Sequence, residues 1–261
     1  MAEIPAGDIS RDFFIEHYFN PRIPVLLKGA ASHWELMTKW SVEYLIETMG
    51  DHQCAVSQDS RPAHAKNKGS LRDYFSARSG VGTLTYTPFD QGEPQLPGFF
   101  RDIPLPNPYF SKEDIAGFAF FHADDNSGTL PHCHLDAFNI LHKGVKRWAL
   151  YDAAPDTAPQ GWEMLKRCFR EYPAGTHAKD WFAEGLVQLG QEGVAVHECR
   201  QEAGDIVFIP EYFSHAVLNL SEVQGLVVQR SRQPERQYQP MALEEAFSDV
   251  GIKVTGSRHG V

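Results

Sequence analysis

Apolar and polar positions follow two rhythms along this chain, and the change falls near residue 115. The first fifty residues read as helical. DFFIEHYF (12–19) is preceded by two capping candidates, Asp8 and Ser10, and stops before Pro21. IPVLLKG (23–29) is a short apolar run closed by Gly29 and predicts a strand. SVEYLIETMG (41–50) predicts a helix capped by Ser41 and ended by Gly50. HQCAVSQ (52–58) alternates like a strand, Gln58 to Ser70 reads as a polar basic loop, and Ser70 caps a short helix, LRDYFSAR. Residues 80–112 are rich in Gly, Pro and aromatic residues and predict an ordered lid or edge segment. From Gly117 the period becomes that of strands: GFAFFHA, LPHCHLDAF, RWALYDA, GVAVHECR, DIVFIP, AVLNL and GLVVQR. Two helical stretches interrupt them, GWEMLKRCFREY (161–172) and HAKDWFAEGL (177–186), and ALEEAF (242–247) predicts a last short helix. Many short strands punctuated by Gly, Asp and Pro imply an antiparallel barrel or sandwich.

Composition narrows the function classes. The 261 residues are 42% hydrophobic and 22% charged, with a formal net charge of -10, which argues against non-specific binding to nucleic acid or anionic membranes. No apolar run approaches the roughly 20 residues needed to cross a bilayer, and the N-terminus lacks a signal-peptide pattern. The four cysteines (Cys54, Cys133, Cys168, Cys199) are scattered and read as reduced thiols of a cytoplasmic protein.

The chemistry concentrates between Gly128 and Tyr151. His132, His134 and Asp136 stand two apart, and on one continuous strand they would share a face. His215 is the distant donor that completes a set of metal ligands. Two histidines and a carboxylate suit a mononuclear iron site with open positions for a chelating cosubstrate and dioxygen. Lys146 can pair with the far carboxylate of an acidic cosubstrate, and Thr129 and Asn139 can add neutral hydrogen bonds. Asn219 follows His215 by four and shares its strand face. Cys133 points away from its neighbours by the same alternation. His122 reads as a packed or hydrogen-bonded histidine, Trp148 and Tyr151 as core, and Asp205 as a turn former.

These residues resemble the cupin-like Jumonji C (JmjC) oxygenases. The likeness runs from Thr129-x-x-His132 through Lys146-Arg147-Trp148 to Gly204-Asp205, Pro210 and His215. It extends to Pro24–Gly29, Trp34, Trp40 and Glu43-Tyr44-Leu45, and so covers most of residues 13–230. The resemblance implies a mainly β fold, a double-stranded β-helix (cupin or jelly-roll barrel), with an N-terminal helical flank and a helical insertion. One domain is expected over residues 1–261: flank to about 115, barrel core 116–232, and a C-terminal helix and tail 233–261. It also implies Fe(II), 2-oxoglutarate as cosubstrate, dioxygen, and a protein, peptide or amino-acid-like substrate to be hydroxylated, with demethylation as the same chemistry. The family's metal ligands are His-x-Asp/Glu and a distal histidine. Thr129 standing three before His132 makes His132 and His215 the favoured ligands and puts His134 where Asp or Glu is expected. The middle ligand stays open between His134 and Asp136. Thr129, Asn139, Lys146 and Asn219 fall to the cosubstrate, with no catalytic residue beyond the metal ligands. Two rival readings are a three-histidine metal cupin that does not use 2-oxoglutarate, and a silent JmjC-like binding module. Relatives that dimerise through C-terminal helices make a homodimer compatible with the pattern.

Overall fold

Local capping chemistry sets the N-terminal flank. In the computed structural model, which describes residues 1–230 other than 6, 8, 58–66, 78–82, 87–97 and 173–174, helix α1 (Arg11–Phe14) continues as a π-helical turn, Ile15–Phe19. Ser10 Oγ accepts from Phe13 N at 3.2 Å, satisfying one of the helix's orphan donors. Short helix α2 (Leu36–Lys39) leads to α3 (Val42–Met49), which is capped in the same way by Ser41. Ser70 caps α4 (Leu71–Ala77), its Oγ accepting from Asp73 N at 3.0 Å.

The flank also contributes strands: β1 (Ala2–Pro5), β2 (Val25–Lys28), β3 (Gln53–Ser57), β4 (Asn67–Ser70) and β5 (Thr83–Tyr86). β4 corrects the expected loop: Asn67–Ser70 pairs antiparallel with β3, and the rest of that loop, 58–66, lies outside the described residues. The expected lid divides similarly. Residues 87–97 lie outside the described residues, while Phe100, Ile103, Tyr109 and Phe110 are buried in the core beneath the flank helices. The predicted helix ALEEAF and the tail 233–261 also lie outside.

The barrel strands are β6 (Ile115–Ala123), β7 (Gly128–His132), β8 (Ala137–Lys143), β9 (Val145–Asp152), β10 (His197–Glu202), β11 (Ile206–Ile209), β12 (Phe213–Asn219) and β13 (Val223–Arg230). Helices α5 (Pro159–Glu171) and α6 (Ala178–Gln191) fill the β9–β10 connection. Among the described residues one sheet runs β1-β2-β11-β8-β13-β6-β5-β3-β4 and the other β10-β9-β12-β7. The chain therefore crosses between sheets at almost every step from β6 to β13, the winding of a double-stranded β-helix. No helix among the described residues is long and apolar enough to cross a membrane.

Strand alternation decides what lies inside. On β9, Ala149 and Tyr151 face outward onto Trp162, Leu165, Trp181 and Phe182 of α5 and α6. Trp148 and Leu150 face inward and meet Leu26, Val207 and Ile209 of the other sheet. On β8, Phe138 and Ile140 face the flank, which leaves Asn139 and Leu141 inside. Gly144, between β8 and β9, has φ +91°, and a Cβ there would meet Glu222 O at 2.1 Å, so glycine sets the turn that starts β9. Asp205, 3% exposed, ties the end of β2 to the β10–β11 turn by accepting from Lys28 Nζ (2.6 Å), Gly29 N (2.8 Å) and Glu202 N (2.9 Å).

His142 sits where the flank meets the barrel. Gln224 Nε2 donates to its Nδ1 at 2.8 Å and also to Trp40 O at 3.0 Å. Burial, then the Lys143 charge, pushes its pKa down to about 4, against an opposing backbone hydrogen bond to Met37. Below the ordinary value of 6.5 the unfolded chain gains a proton that the folded one refuses, so stability falls as the pH drops from 6.5 towards 4. His142→Gln should reduce the stability lost between pH 7 and pH 4.5 by about 2 kcal/mol. Denaturant melts at the two pH values measure this, and an undiminished loss in the variant would contradict it.

Candidate metal centre

Two strands place the first pair of donors. β7 and β12 run antiparallel with His132 opposite His215, the ladder's register shifting just beyond that pair. Their rings stand 4.2 Å apart between centroids. His134 approaches from the connection after β7, its ring 4.6 Å from His215 and 5.6 Å from His132. One ligand nitrogen from each ring lies within 4.8 Å of the others.

Hydrogen bonding fixes how these rings present themselves. Each Nδ1 meets a backbone carbonyl: His132 that of Leu130 (2.8 Å), His134 that of Leu135 (2.7 Å) and His215 that of Phe213 (2.9 Å). A carbonyl only accepts, so each Nδ1 donates, and in the neutral ring Nε2 keeps its lone pair for a metal. Neutrality is favoured for His134 and His215. Burial pushes the His134 pKa down, against the Leu135 bond and the Asp136 charge. Burial, with repulsion from His132 and His134, pushes that of His215 well below the ordinary range.

The same-face expectation for His132, His134 and Asp136 is corrected here. β7 ends at His132, and residues 133–136 are not strand, so alternation does not govern them. His134 nevertheless reaches the cluster. Asp136 stays outside it: buried, at 5% exposure, its Oδ1 accepts from Glu211 N at 3.0 Å and its backbone carbonyl accepts from Arg230 N at 2.8 Å. Cys133 packs towards the α5–α6 side, and burial pushes its thiol up to about 12.

Lys146 opens β9 opposite Asn219 of β12. Its side chain crosses the inter-sheet space, with Nζ 3.5 Å from the centroid of Phe121 on β6 and 5.6 Å from that of Trp148. No carboxylate among the described residues lies within ion-pair distance of it, and desolvation pushes its pKa well below the ordinary lysine value. Of the seven buried side-chain atoms without a hydrogen-bond partner among the described residues, three belong to the inward positions singled out beside Lys146 in the sequence: Thr129 Oγ1, Asn139 Oδ1 and Asn219 Oδ1. Buried polar atoms are nearly always hydrogen-bonded, so a cluster of exceptions is the mark of a polar ligand's seat. Gln201 orders the wall by accepting from Trp148 Nε1 (2.8 Å) and donating to Asn139 O (2.8 Å). Phe121 and Gln201 escaped the sequence reading: one sits in an unbroken aromatic run and the other on a strand of alternating charge, with nothing local to mark either.

A family model described as a cupin-like domain matches residues 10–229. The chain belongs to the cupin-like family, as a JmjC-type member. Curated cupin-like relatives include the Arabidopsis thaliana arginine-specific demethylase JMJ22, 28% identical over 82% of this chain and 43% of its own length. The Caenorhabditis briggsae bifunctional arginine demethylase and lysyl-hydroxylase psr-1 is 25% identical over 87% of this chain and 60% of its own. The Gallus gallus tRNA wybutosine-synthesizing protein 5 is 25% identical over 83% and 73%. The chain thus spans about half the length of the first two.

Removing the buried amine tests its electrostatic state. Lys146→Met should stabilise the ligand-free protein by about 1–3 kcal/mol, because a desolvated amine without an acidic partner is replaced by an apolar chain of similar length. A loss of stability on thermal or denaturant unfolding would show that Lys146 is satisfied in a way the observed contacts do not account for.

Proposed function

We propose that this protein is an Fe(II)- and 2-oxoglutarate-dependent oxygenase that hydroxylates a protein, peptide or amino-acid-like substrate, with demethylation of an N-methyl group as the same chemistry. One observation carries the reading. A cluster of three imidazoles and a buried lysine with no acidic partner among the described residues share the interior of one cupin-like barrel, with Thr129, Asn139 and Asn219 each holding an unpartnered polar atom. The residues fit both absent groups: three Nε2 lone pairs for a divalent ion, and a cation with hydrogen-bonding neighbours for a dicarboxylate.

Fe(II), when bound, would supply open positions at which dioxygen is reduced at the expense of 2-oxoglutarate. His132 and His215 would hold it from paired strands, with the third position taken by His134 or Asp136. Lys146 would hold the distal carboxylate, and that anion would restore the ammonium form that desolvation disfavours in its absence. Phe121 and Trp148 wall this end and keep water from it, which strengthens the ion pair. The named activities of the relatives, demethylation and lysyl hydroxylation, support an amino-acid side chain as target, and a cytoplasmic location belongs to the same reading.

The gathering of His134 with His132 and His215, where the family has a carboxylate, favours a second reading, a metal cupin enzyme that does not use 2-oxoglutarate. Adding Fe(II) and 2-oxoglutarate without oxygen separates the two. The proposed function predicts a visible charge-transfer band, then succinate when oxygen is admitted. Iron binding without the band or succinate would favour the second reading. No metal binding at all would make this a silent binding protein.

A further inference from the structure

The donor set has a consequence for the ion it accepts. His132 and His215 are fixed by the β7–β12 ladder, and each has its Nδ1 committed to a carbonyl. His134 joins them with the same commitment. Asp136, two residues on, is pinned at both ends. Its carboxylate holds the Glu211 N–H of the β11–β12 turn, and its carbonyl holds the Arg230 N–H at the end of β13. Swinging that carboxylate into the cluster would strand a buried N–H and break the anchor of the segment that presents His134. Among the described residues the donor cluster comprises His132, His134 and His215 without Asp136, which stands beside the centre rather than in it.

We propose that His134, not Asp136, completes the centre, and that the resulting all-imidazole set selects against Mn2+ and for ions that prefer imidazole nitrogen, such as Fe2+ and Co2+. This rests on the reading of the cluster as a metal centre. Carboxylate oxygen is the donor that suits Mn2+, the weakest binder of the first-row series, whereas imidazole suits iron and its later neighbours. A centre that has moved its carboxylate outward loses Mn2+ affinity disproportionately. Asp136 then acts as a positioning residue, holding the His134 segment through a hydrogen bond that does not require its charge.

Competition titrations of the full chain with Mn2+ and Co2+, read against a chromophoric chelator, test this without any assay of activity. All first-row sites favour Co2+, so the comparison that decides is with His134→Asp. That variant should bind Mn2+ at least about tenfold more tightly than the wild type, while its Co2+ affinity changes less. His134→Ala should lose about tenfold or more in Co2+ affinity and alter the visible Co2+ spectrum, while Asp136→Asn, which can still accept from Glu211 N, stays within about threefold. Unchanged Mn2+ affinity in His134→Asp would overturn the selectivity alone. Loss of Co2+ in Asp136→Asn with retention in His134→Ala would overturn the ligand assignment. No uptake of either ion by the wild type would overturn both, together with the functional reading beneath them.

Discussion

Desolvation inside a closed two-sheet barrel is the constraint on which the rest depends. Both outer faces are covered, one by the flank helices and the other by α5 and α6, so most inward positions are cut off from water, while His132 and His134 keep part of their surface exposed. Most inward positions are apolar. The exceptions cluster: an amine over Phe121, amide and hydroxyl oxygens without partners, and imidazoles held in one tautomer by their own backbone. A fold bears such costs where a ligand repays them.

The departure from the family pattern has a structural logic. A carboxylate has not vanished from the neighbourhood of the centre; it stands at Asp136, engaged by Glu211 N. The segment 133–136 exchanges roles between its residues, His134 reaching the cluster while Asp136 fastens the segment. On the proposed assignment the donor atoms would change from oxygen to nitrogen while a carboxylate stays nearby, and it is the donor atoms that set which ion is preferred.

Much of this was legible in the sequence because it is local. Ser10, Ser41 and Ser70 cap their helices through bonds to residues three ahead, and β6 to β13 follow strand periodicity closely. The pairing of Lys146 with Asn219, and of His132 with His215, follows from strands whose inward positions were already marked by chemistry. Long-range contacts defeated the reading. HCHLD contains no Gly or Pro that would break the strand after His132, and the bond that captures Asp136 comes from 75 residues away. Asn67–Ser70 looks like a polar loop and becomes a strand only because β3 lies beside it. Phe121 is indistinguishable from its aromatic neighbours until Lys146 is seen above it.

The central claim is that one barrel interior seats a metal among three imidazoles and a dicarboxylate reaching from it to Lys146. A crystal structure determined with Co2+ and 2-oxoglutarate, using the anomalous signal of cobalt, tests it most directly. Cobalt should be bound by Nε2 of His132, His134 and His215, with the distal carboxylate hydrogen-bonded to Lys146 Nζ. Cobalt held by the Asp136 carboxylate, or a dicarboxylate seated away from Lys146, would contradict it.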